Sequence, residues 1–174
     1  MSKKSKGGAG PEKTNAARLL DKAGIQYRLV PYEVDESDLS AVHVAATLGE
    51  DIDLVYKTLV LHSEPMKAGQ YFVCVVPGAA EVDLKKAARA AGYKKVEMLA
   101  MKELLGVTGY IRGGCSPVGL KKPYPIFIQQ DALAHDRIFI SAGQRGLQFE
   151  LSPADLVAYT GATAADLIKG DADA

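Results

Sequence analysis

The apolar residues of this chain occur in short runs, and the length of those runs restricts the folds that the chain can adopt. The longest run, Tyr71 to Val76, has the length of a single β-strand. A membrane-spanning helix needs roughly 20 consecutive apolar residues, so no membrane partner is predicted. The start of the chain is basic and rich in glycine, and no hydrophobic segment follows it. This pattern differs from a signal peptide and instead predicts a disordered tail over residues 1–12.

Helices are predicted where a residue that can cap a helix precedes an apolar stripe and a glycine follows it. The clearest example begins after Asp83, carries apolar residues at helical spacing from Leu84 to Ala91, and ends at Gly92. Similar signals predict helices over residues 15–23 and 41–48, and a final helix that opens at Pro153. A shorter helix is predicted over residues 101–105.

Strands are predicted from short apolar or alternating runs at residues 26–32, 55–62, 71–76, 126–130, 136–141 and 147–151. The polar segment 62–70 predicts a hairpin connection, and segment 106–125, rich in glycine and proline, predicts a long loop. We find no internal repeat and no linker between two cores. The chain of 174 residues is therefore predicted to form one α+β domain over residues 13–168, with a second tail over residues 169–174.

The charges balance, because 21 Lys and Arg residues oppose 21 Asp and Glu residues. The overall charge therefore indicates no nucleic-acid partner, and DNA is not predicted to bind. Any contact with RNA must come from a local basic cluster, and each such cluster is alternatively an ordinary solvated face. The chain has three of them: Lys85, Lys86 and Arg89; Lys94 and Lys95; Lys121 and Lys122.

The cysteine and histidine residues form no recognisable metal or nucleophile motif. Cys74 and Cys115 make no CxxC pair, and Cys74 lies in an apolar strand, as a core residue does. This use of cysteine favours a reducing cytoplasm. The histidines have neither HExxH nor triad spacing, and no GxSxG elbow surrounds Ser116. The sequence therefore predicts no metal and no cofactor.

Lys57 is the first candidate for chemistry, because a lysine is unexpected among the apolar residues around it in the sequence. Side chains two positions apart on a strand share a face, so Lys57 is predicted to share one with Val55, Leu59 and Leu61. Burial on such a face lowers the pKa of a lysine and favours a role as hydrogen-bond donor or base. The alternative is a lysine at the start of the strand whose ammonium group reaches water.

Two glycine-rich segments are the other candidates for chemistry. Segment 108–119 contains the pair Gly113 and Gly114, where backbone N–H groups can approach a ligand and form an oxyanion hole. The alternative is a turn-rich surface loop. Segment 141–146 is also rich in glycine, and its alternative interpretation is a simple hairpin turn. Neither segment matches the phosphate-binding or dinucleotide-binding glycine patterns.

Taken together, five motifs resemble those of the YbaK/EbsC family in their order and spacing. They are Tyr56-Lys57-Thr58-Leu59, Val82-Asp83-Leu84-Lys85-Lys86, Lys94-Lys95-Val96-Glu97-Met98, segment 108–119 and Gly143-Gln144-Arg145-Gly146-Leu147. The resemblance extends from about Lys13 to Ile168. It implies a curved, mixed and mostly antiparallel sheet flanked by helices, related to the editing domain of some prolyl-tRNA synthetases. It also implies release of a mischarged amino acid from the 3′ end of tRNA, typically cysteine from Cys-tRNA(Pro).

The resemblance also implies roles for individual residues. Lys57 matches the family's essential lysine, and Gly113, assisted by Gly114, matches the backbone donor to the reacting carbonyl. The residues expected to bind substrate are Tyr32, Thr58, Ser141, Gly143 and Gln148. Lys85, Lys86 and Arg89 are expected to contact the tRNA acceptor end, and prolyl-tRNA synthetase is a candidate partner. In the family's usual mechanism the substrate's own thiol attacks the ester, so no protein nucleophile is needed.

Gln148 departs from the pattern of the Cys-tRNA(Pro) deacylases, which have an aspartate at this position. Glutamine carries no negative charge, so it binds an α-ammonium group more weakly, and the amino-acid preference is open. One alternative is a deacylase that uses water and acts on another misacylated tRNA, such as Ala-tRNA(Pro). The other is a module that binds tRNA or a synthetase without turnover.

Overall fold

The computed structural model describes residues 12–66 and 70–170. Of the two predicted tails, only Glu12, Lys169 and Gly170 fall within this range. The described part contains these elements in chain order: α1 Asn15–Lys22, β1 Tyr27–Pro31, α2 Ala41–Leu48, β2 Tyr56–Ser63, β3 Tyr71–Pro77, α3 Leu84–Ala91, β4 Val96–Met98, α4 Leu104–Thr108, β5 Ile126–Gln129, β6 Ile138–Gln144, β7 Leu147–Leu151, α5 Pro153–Thr160 and β8 Thr163–Ala165.

The strands form two sheets. The smaller sheet has the order β1-β7-β6, and its strands are antiparallel. The larger sheet has the order β4-β2-β3-β5-β8, in which β3, β5 and β8 run parallel and the other pairs are antiparallel. A parallel bridge between Val55 and Phe139 joins the start of β2 to β6. The predicted α+β fold with a mixed, mostly antiparallel sheet is confirmed, with the sheet divided into two parts at this bridge.

The core follows the alternation of side chains along the strands. On β2, Tyr56 and Val60 pack in the largest cluster, which includes Ile140 and Phe149 of the smaller sheet. Leu61, on the other face, packs in a second cluster that contains the apolar side of α3. Both faces of the larger sheet are therefore buried at this part of β2, which lies between the two clusters.

The predicted helix signals hold in the structure. The side chain of Asp83 accepts hydrogen bonds from the backbone N–H groups of Lys85 and Lys86, and Gly92 ends α3 with a φ of 84°. Ser152 caps α5 in the same way through the N–H of Asp155. Such caps provide partners for backbone groups that a helix end leaves free, so they fix where each helix begins and ends.

Two predictions of secondary structure are wrong in part. The segment predicted as a loop from residue 106 begins inside α4, which continues to Thr108 and ends at Gly109 with a φ of 85°. The short strands β4 and β8 were not predicted, since three residues are too few for an alternating pattern to be recognised. The hairpin that joins β2 to β3 is confirmed by their antiparallel register, although residues 67–69 of the connection lie outside the described range.

Candidate active site

A cavity of about 370 Å³ lies beside β2, near the point where the two sheets meet. Buried residues from both sheets form its floor, and the exposed residues of the lining, Ser40, Met98, Met101 and Arg112, form its rim. The predicted site residues on its lining are Lys57 and Thr58 of β2, Gly113 of the glycine-rich segment, Ser141 of β6 and Gln148 of β7. The structure therefore brings together three motifs that are far apart in the sequence.

The cavity exists because one edge of β2 is uncovered there. β4 pairs with β2 only from Leu61 to Ser63, and the last contact is the hydrogen bond from the Leu99 N–H to the Val60 carbonyl, 2.9 Å long. Backbone groups two residues apart point to the same edge, so those of Thr58 face the cavity side. A cavity along an open edge is lined from both faces of the strand, which explains why Lys57 and Thr58 both contribute to it.

Lys57 is half-buried on the cavity wall. Desolvation lowers the pKa of its ammonium group, and the nearby charge of Glu81 partly opposes this effect. Within the described part of the chain, the ammonium group has no hydrogen-bond or ion-pair partner. A lysine that is desolvated and unpartnered is poised to donate to a ligand or to accept a proton from one.

Three buried polar atoms near the cavity lack a hydrogen-bond partner in the described structure: Tyr56 Oη, Thr58 Oγ1 and Gln148 Oε1. Burial raises the pKa of Tyr56 to about 12, so its hydroxyl keeps its proton at neutral pH. An unsatisfied buried polar group costs about 1–3 kcal/mol. The three residues line the cavity, so a ligand there that draws these atoms into hydrogen bonds removes that cost.

The two glycines of the predicted donor pair differ in whether their backbone N–H groups have a hydrogen-bond acceptor within the protein. Gly113 has a φ of 84°, and a Cβ there would meet the Cγ and Nε atoms of Arg145 at 3.3 Å. Its N–H has no acceptor among the described residues, so it is free to donate into the cavity that Gly113 lines. The N–H of Gly114 instead donates to the Ile111 carbonyl at 2.9 Å. The predicted assisting role of Gly114 as a donor is therefore not supported.

Gly114 and Gly143 have packing roles. A Cβ on Gly114 would lie 3.0 Å from the Gln144 Cα atom, so only glycine lets the two segments approach. Gly143 has a φ of 105° and faces the ring of Tyr110, outside the cavity lining. Its N–H donates to the hydroxyl of Ser141 at 3.1 Å, so Gly143 positions this serine rather than a substrate.

Tyr32, also predicted to bind substrate, does not line the cavity. It packs in the third core cluster with Val44 and Phe139, and its N–H donates to the Gly146 carbonyl at 2.9 Å. The tyrosine on the cavity lining is Tyr56, which the sequence placed in a motif but not in the site. Its unpaired hydroxyl is a feature of tertiary structure that no local pattern reveals.

The three residues of the basic cluster on α3, Lys85, Lys86 and Arg89, have different surroundings in the structure. The ammonium group of Lys86 lies 2.9 Å from Asp166 Oδ2 and donates to the Ile168 carbonyl at 2.7 Å, so it ties α3 to the C-terminal segment. The same contact lowers the pKa of Asp166. Lys86 is thus engaged within the protein and not free for RNA. Lys85 and Arg89 remain exposed.

No cysteine that the structure describes on the cavity lining is an activated nucleophile. Cys115 lies on its lining, but burial raises the pKa of the thiol to about 11, and that of Cys74 rises to about 12 for the same reason. Both thiols are therefore protonated at neutral pH and unreactive. No histidine lines the cavity. In the described ranges, no group of three His, Cys, Asp or Glu side chains is arranged to hold a metal ion.

Comparison with known proteins decides the family. Residues 36–159 match the aminoacyl-tRNA editing domain. The chain belongs to the aminoacyl-tRNA editing domain family. A curated relative from Enterococcus faecalis is 43% identical over 156 residues, which cover 90% of this chain and 93% of the relative. It carries the name Cys-tRNA(Pro)/Cys-tRNA(Cys) deacylase EbsC. The family resemblance and the deacylase class that the motifs indicated are confirmed.

Solved structures agree with this editing-domain fold. One, described as a trans-editing enzyme for prolyl-tRNA synthetase, has a TM-score of 0.76 at 27% identity, and the alignment covers 91% of this chain and all of that one. Another, a hypothetical protein, has a TM-score of 0.78 at 24% identity over 87% of this chain and 97% of that chain, which supports the fold alone. No helix in the described residues of this editing domain is long and apolar enough to cross a membrane.

The cavity lining of the editing domain also includes a charged residue that was not predicted from the sequence to belong to the site. Arg112 lines the cavity and is exposed, so it lies at the rim. Among the described residues, Arg112 and Lys57 are the only charged side chains on the lining, and both are cationic. The signal was present in the sequence, since Arg112 directly precedes the glycine pair, but an arginine in a loop is ordinary unless its surroundings are known.

Proposed function

We propose that this editing domain removes cysteine from Cys-tRNA(Pro) in trans. The observation that carries the proposal is the pairing, in one cavity, of an unpartnered Lys57 ammonium group with a free Gly113 N–H. These are two donors for an oxygen that gains negative charge, in a cavity without a nucleophile of its own. The 43% identical relative is named as a deacylase of Cys-tRNA(Pro) and Cys-tRNA(Cys), which favours cysteine as the amino acid removed.

The proposed reaction uses the substrate as its own nucleophile. The cysteine sulfur attacks the ester carbonyl carbon, the bond to the ribose oxygen breaks, and a cyclic thiolactone and free tRNA result. The thiol proton passes to the leaving ribose oxygen. Holding the thiol against the carbonyl supplies most of the acceleration, because well-oriented intramolecular attack is worth about 7–11 kcal/mol of the barrier.

The protein's groups act on the charges that develop during this reaction. The Gly113 N–H stabilises the carbonyl oxygen as it becomes an oxyanion, a contribution of about 3–4 kcal/mol in other enzymes. Lys57 stabilises the substrate thiolate or the leaving oxygen, and its lowered pKa makes proton transfer to that oxygen easier. The wholly cationic charged lining favours a thiolate over a thiol, since positive charge in a desolvated cavity stabilises the anion.

Gln148 supports recognition of the amino acid without a charge. Its buried Oε1 atom lacks a donor and accepts a hydrogen bond from the substrate amine or thiol in this proposal. A neutral acceptor holds an ammonium group less strongly than a carboxylate does, and it disfavours the thiolate less. The exchange is therefore compatible with thiol chemistry even though it weakens one ionic contact.

The test is release of amino acid from purified Cys-tRNA(Pro) and Ala-tRNA(Pro). Cysteine-selective release that Lys57→Ala abolishes and the exposed control Lys22→Ala leaves unchanged would support the proposal. Release of alanine would favour the water-mediated deacylase, because alanine has no thiol. Binding of tRNA without release of either amino acid would favour the non-catalytic module.

The wider setting is also part of the proposal. The domain would bind the acceptor end of tRNA in the cytoplasm, where tRNA is charged, with Lys85 and Arg89 as peripheral contacts. Because the chain is small, the choice of tRNA would depend on a partner, and prolyl-tRNA synthetase is the candidate. Co-migration of the two proteins with tRNA(Pro), but not with an unrelated tRNA, tests this part.

A further inference from the structure

We propose that Arg112 and the methionine side chains at the cavity rim form a seat for the last nucleotide of the RNA. In this seat Arg112 binds the phosphate before the terminal nucleoside, and Met98 and Met101 pack against its base. The inference rests on the proposed function, and it gives a role to three residues to which the family resemblance assigned none.

The first observation is the free charge of Arg112. Its carbonyl accepts a hydrogen bond from Arg145 Nε at 2.8 Å, which fixes the backbone at this point of the rim. The guanidinium group of Arg112 has no acceptor in the described ranges of the chain. The neighbouring Arg145 differs, because its NH1 atom lies 2.7 Å from Glu36 Oε1. One arginine therefore holds the loop, and the other presents an unneutralised charge beside the cavity.

The second observation is the apolar part of the rim. Met98 and Met101 line the cavity and are 41% and 57% exposed, which is high for large apolar side chains. Methionine is flexible and polarisable, so it packs well against the flat face of a base without requiring a particular sequence. Their exposure is costly in water unless a ligand covers them.

The third observation is the order of these features from the cavity outward. The free N–H of Gly113 immediately follows Arg112, so the oxyanion donor and the rim charge are adjacent in the chain. An aminoacyl ester and the phosphate on the 5′ side of the same nucleotide are likewise separated by one ribose. The charge and the apolar surface at the rim thus suit the phosphate and the base of one nucleotide whose ester lies in the cavity.

The test uses uncharged RNA, so it does not depend on deacylation. Binding of a hairpin with a single-stranded 3′ CCA end is measured by fluorescence anisotropy over a salt series. Arg112→Ala is expected to weaken binding roughly fivefold and to reduce the slope of log Kd against log salt by about 0.7, the value for one phosphate contact on a single strand. Arg112→Lys should retain the slope. Met101→Gln should weaken binding and leave the slope unchanged, because it removes no charge.

Two controls make the result specific. Lys22→Ala removes an exposed lysine that is neither on the cavity lining nor in a basic cluster, and it should change neither affinity nor slope. A blunt-ended hairpin without the single-stranded 3′ end should bind wild type and Arg112→Ala equally. The proposal is overturned if Arg112→Ala behaves like Lys22→Ala, or if its effect persists on the blunt-ended hairpin.

The outcome is separable from that of the deacylase proposal. Normal amino-acid release with unaltered binding by Arg112→Ala would overturn only the nucleotide seat. Arg112-dependent binding by a wild-type protein that releases neither cysteine nor alanine would support the seat and overturn the deacylase function.

Discussion

Replacing Gln148 with leucine is predicted to leave the fold intact or more stable while it reduces activity. The Gln148 side chain is 5% exposed, and its Oε1 atom has no hydrogen-bond partner in the described structure. An unsatisfied buried polar group costs about 1–3 kcal/mol, and leucine has nearly the same volume without that cost. We therefore expect Gln148→Leu to gain about 1 kcal/mol of unfolding free energy. For a chain of this size that gain raises Tm by roughly 2–4 °C.

Gln129 provides the matched control, because it is equally buried and fully bonded. It is 2% exposed, its Oε1 accepts from the Leu167 N–H at 2.6 Å, and its Nε2 donates to Asp131 and Asp166. Gln129→Leu leaves the buried Leu167 N–H without an acceptor. It should therefore cost about 2–3 kcal/mol of unfolding free energy, with little change in kcat/KM after correction for the folded fraction.

The assay pairs thermal unfolding with deacylation of Cys-tRNA(Pro). Loss of one hydrogen bond to the substrate should reduce kcat/KM of Gln148→Leu about tenfold, since roughly 1.4 kcal/mol corresponds to that factor. The reasoning is refuted if Gln148→Leu destabilises the protein as much as Gln129→Leu does. It is also refuted if activity is unchanged, because the unpartnered oxygen would then have no ligand to meet.

Three further predictions concern the remaining cavity residues. Lys57→Ala should reduce kcat/KM at least a hundredfold with a small effect on Tm. In the wild-type protein, the pKa of Lys57 is lower in the folded state than the ordinary value of 10.5. The free energy of unfolding should therefore rise with pH between those two pKa values, which a series of unfolding experiments at different pH would measure. Retention of activity by Lys57→Ala would refute its catalytic role. Cys115→Ser should retain deacylation activity, and loss of activity in this variant would show that Cys115 is a nucleophile. The wild-type thiol should resist alkylation by iodoacetamide at neutral pH, because burial raises the pKa of Cys115 to about 11. Gly114→Ala should lower Tm because its Cβ would meet the Gln144 Cα atom at 3.0 Å, and Gly113→Ala should lower Tm because a φ of 84° is strained for any residue with a Cβ. Only Gly113→Ala should also lower kcat of the folded fraction, because the strain displaces the N–H of the oxyanion donor; an equal loss of kcat in both variants would contradict the separate roles.

Local chemistry explains why the secondary structure could be predicted from the sequence. Asp83 and Gly92 bound α3 because a cap and a left-handed glycine act on the nearest backbone groups. The continuous apolar run of β3 likewise reports the burial of that strand on both faces. β4 escaped prediction because its three residues are defined by a partner strand, which the local sequence does not contain.

The site was predicted less completely, because its key properties depend on distant segments. Lys57 stood out, since a charge on an apolar strand face is a local anomaly. The roles of Gly143 and Lys86 could not be read locally, because the first depends on the ring of Tyr110 and the second on Asp166. Tyr56 and Arg112 were missed for the same reason. A buried hydroxyl without a partner and a free charge at a rim exist only after the fold has formed.

The cationic charge of the described cavity lining connects the departure at Gln148 to the proposed chemistry. The charged lining consists of Lys57 and Arg112, so a carboxylate at position 148 would be placed in a cationic cavity and would neutralise part of its field. With glutamine the positive potential is retained, and it lowers the pKa of a substrate thiol that enters. Compared with a carboxylate at position 148, glutamine therefore makes attack by a thiolate easier at neutral pH, while it binds the α-ammonium group of the substrate more weakly. Gln148→Asp should consequently improve KM and shift the rise of kcat to higher pH, and an unchanged pH profile would show that the cavity field does not control the thiol.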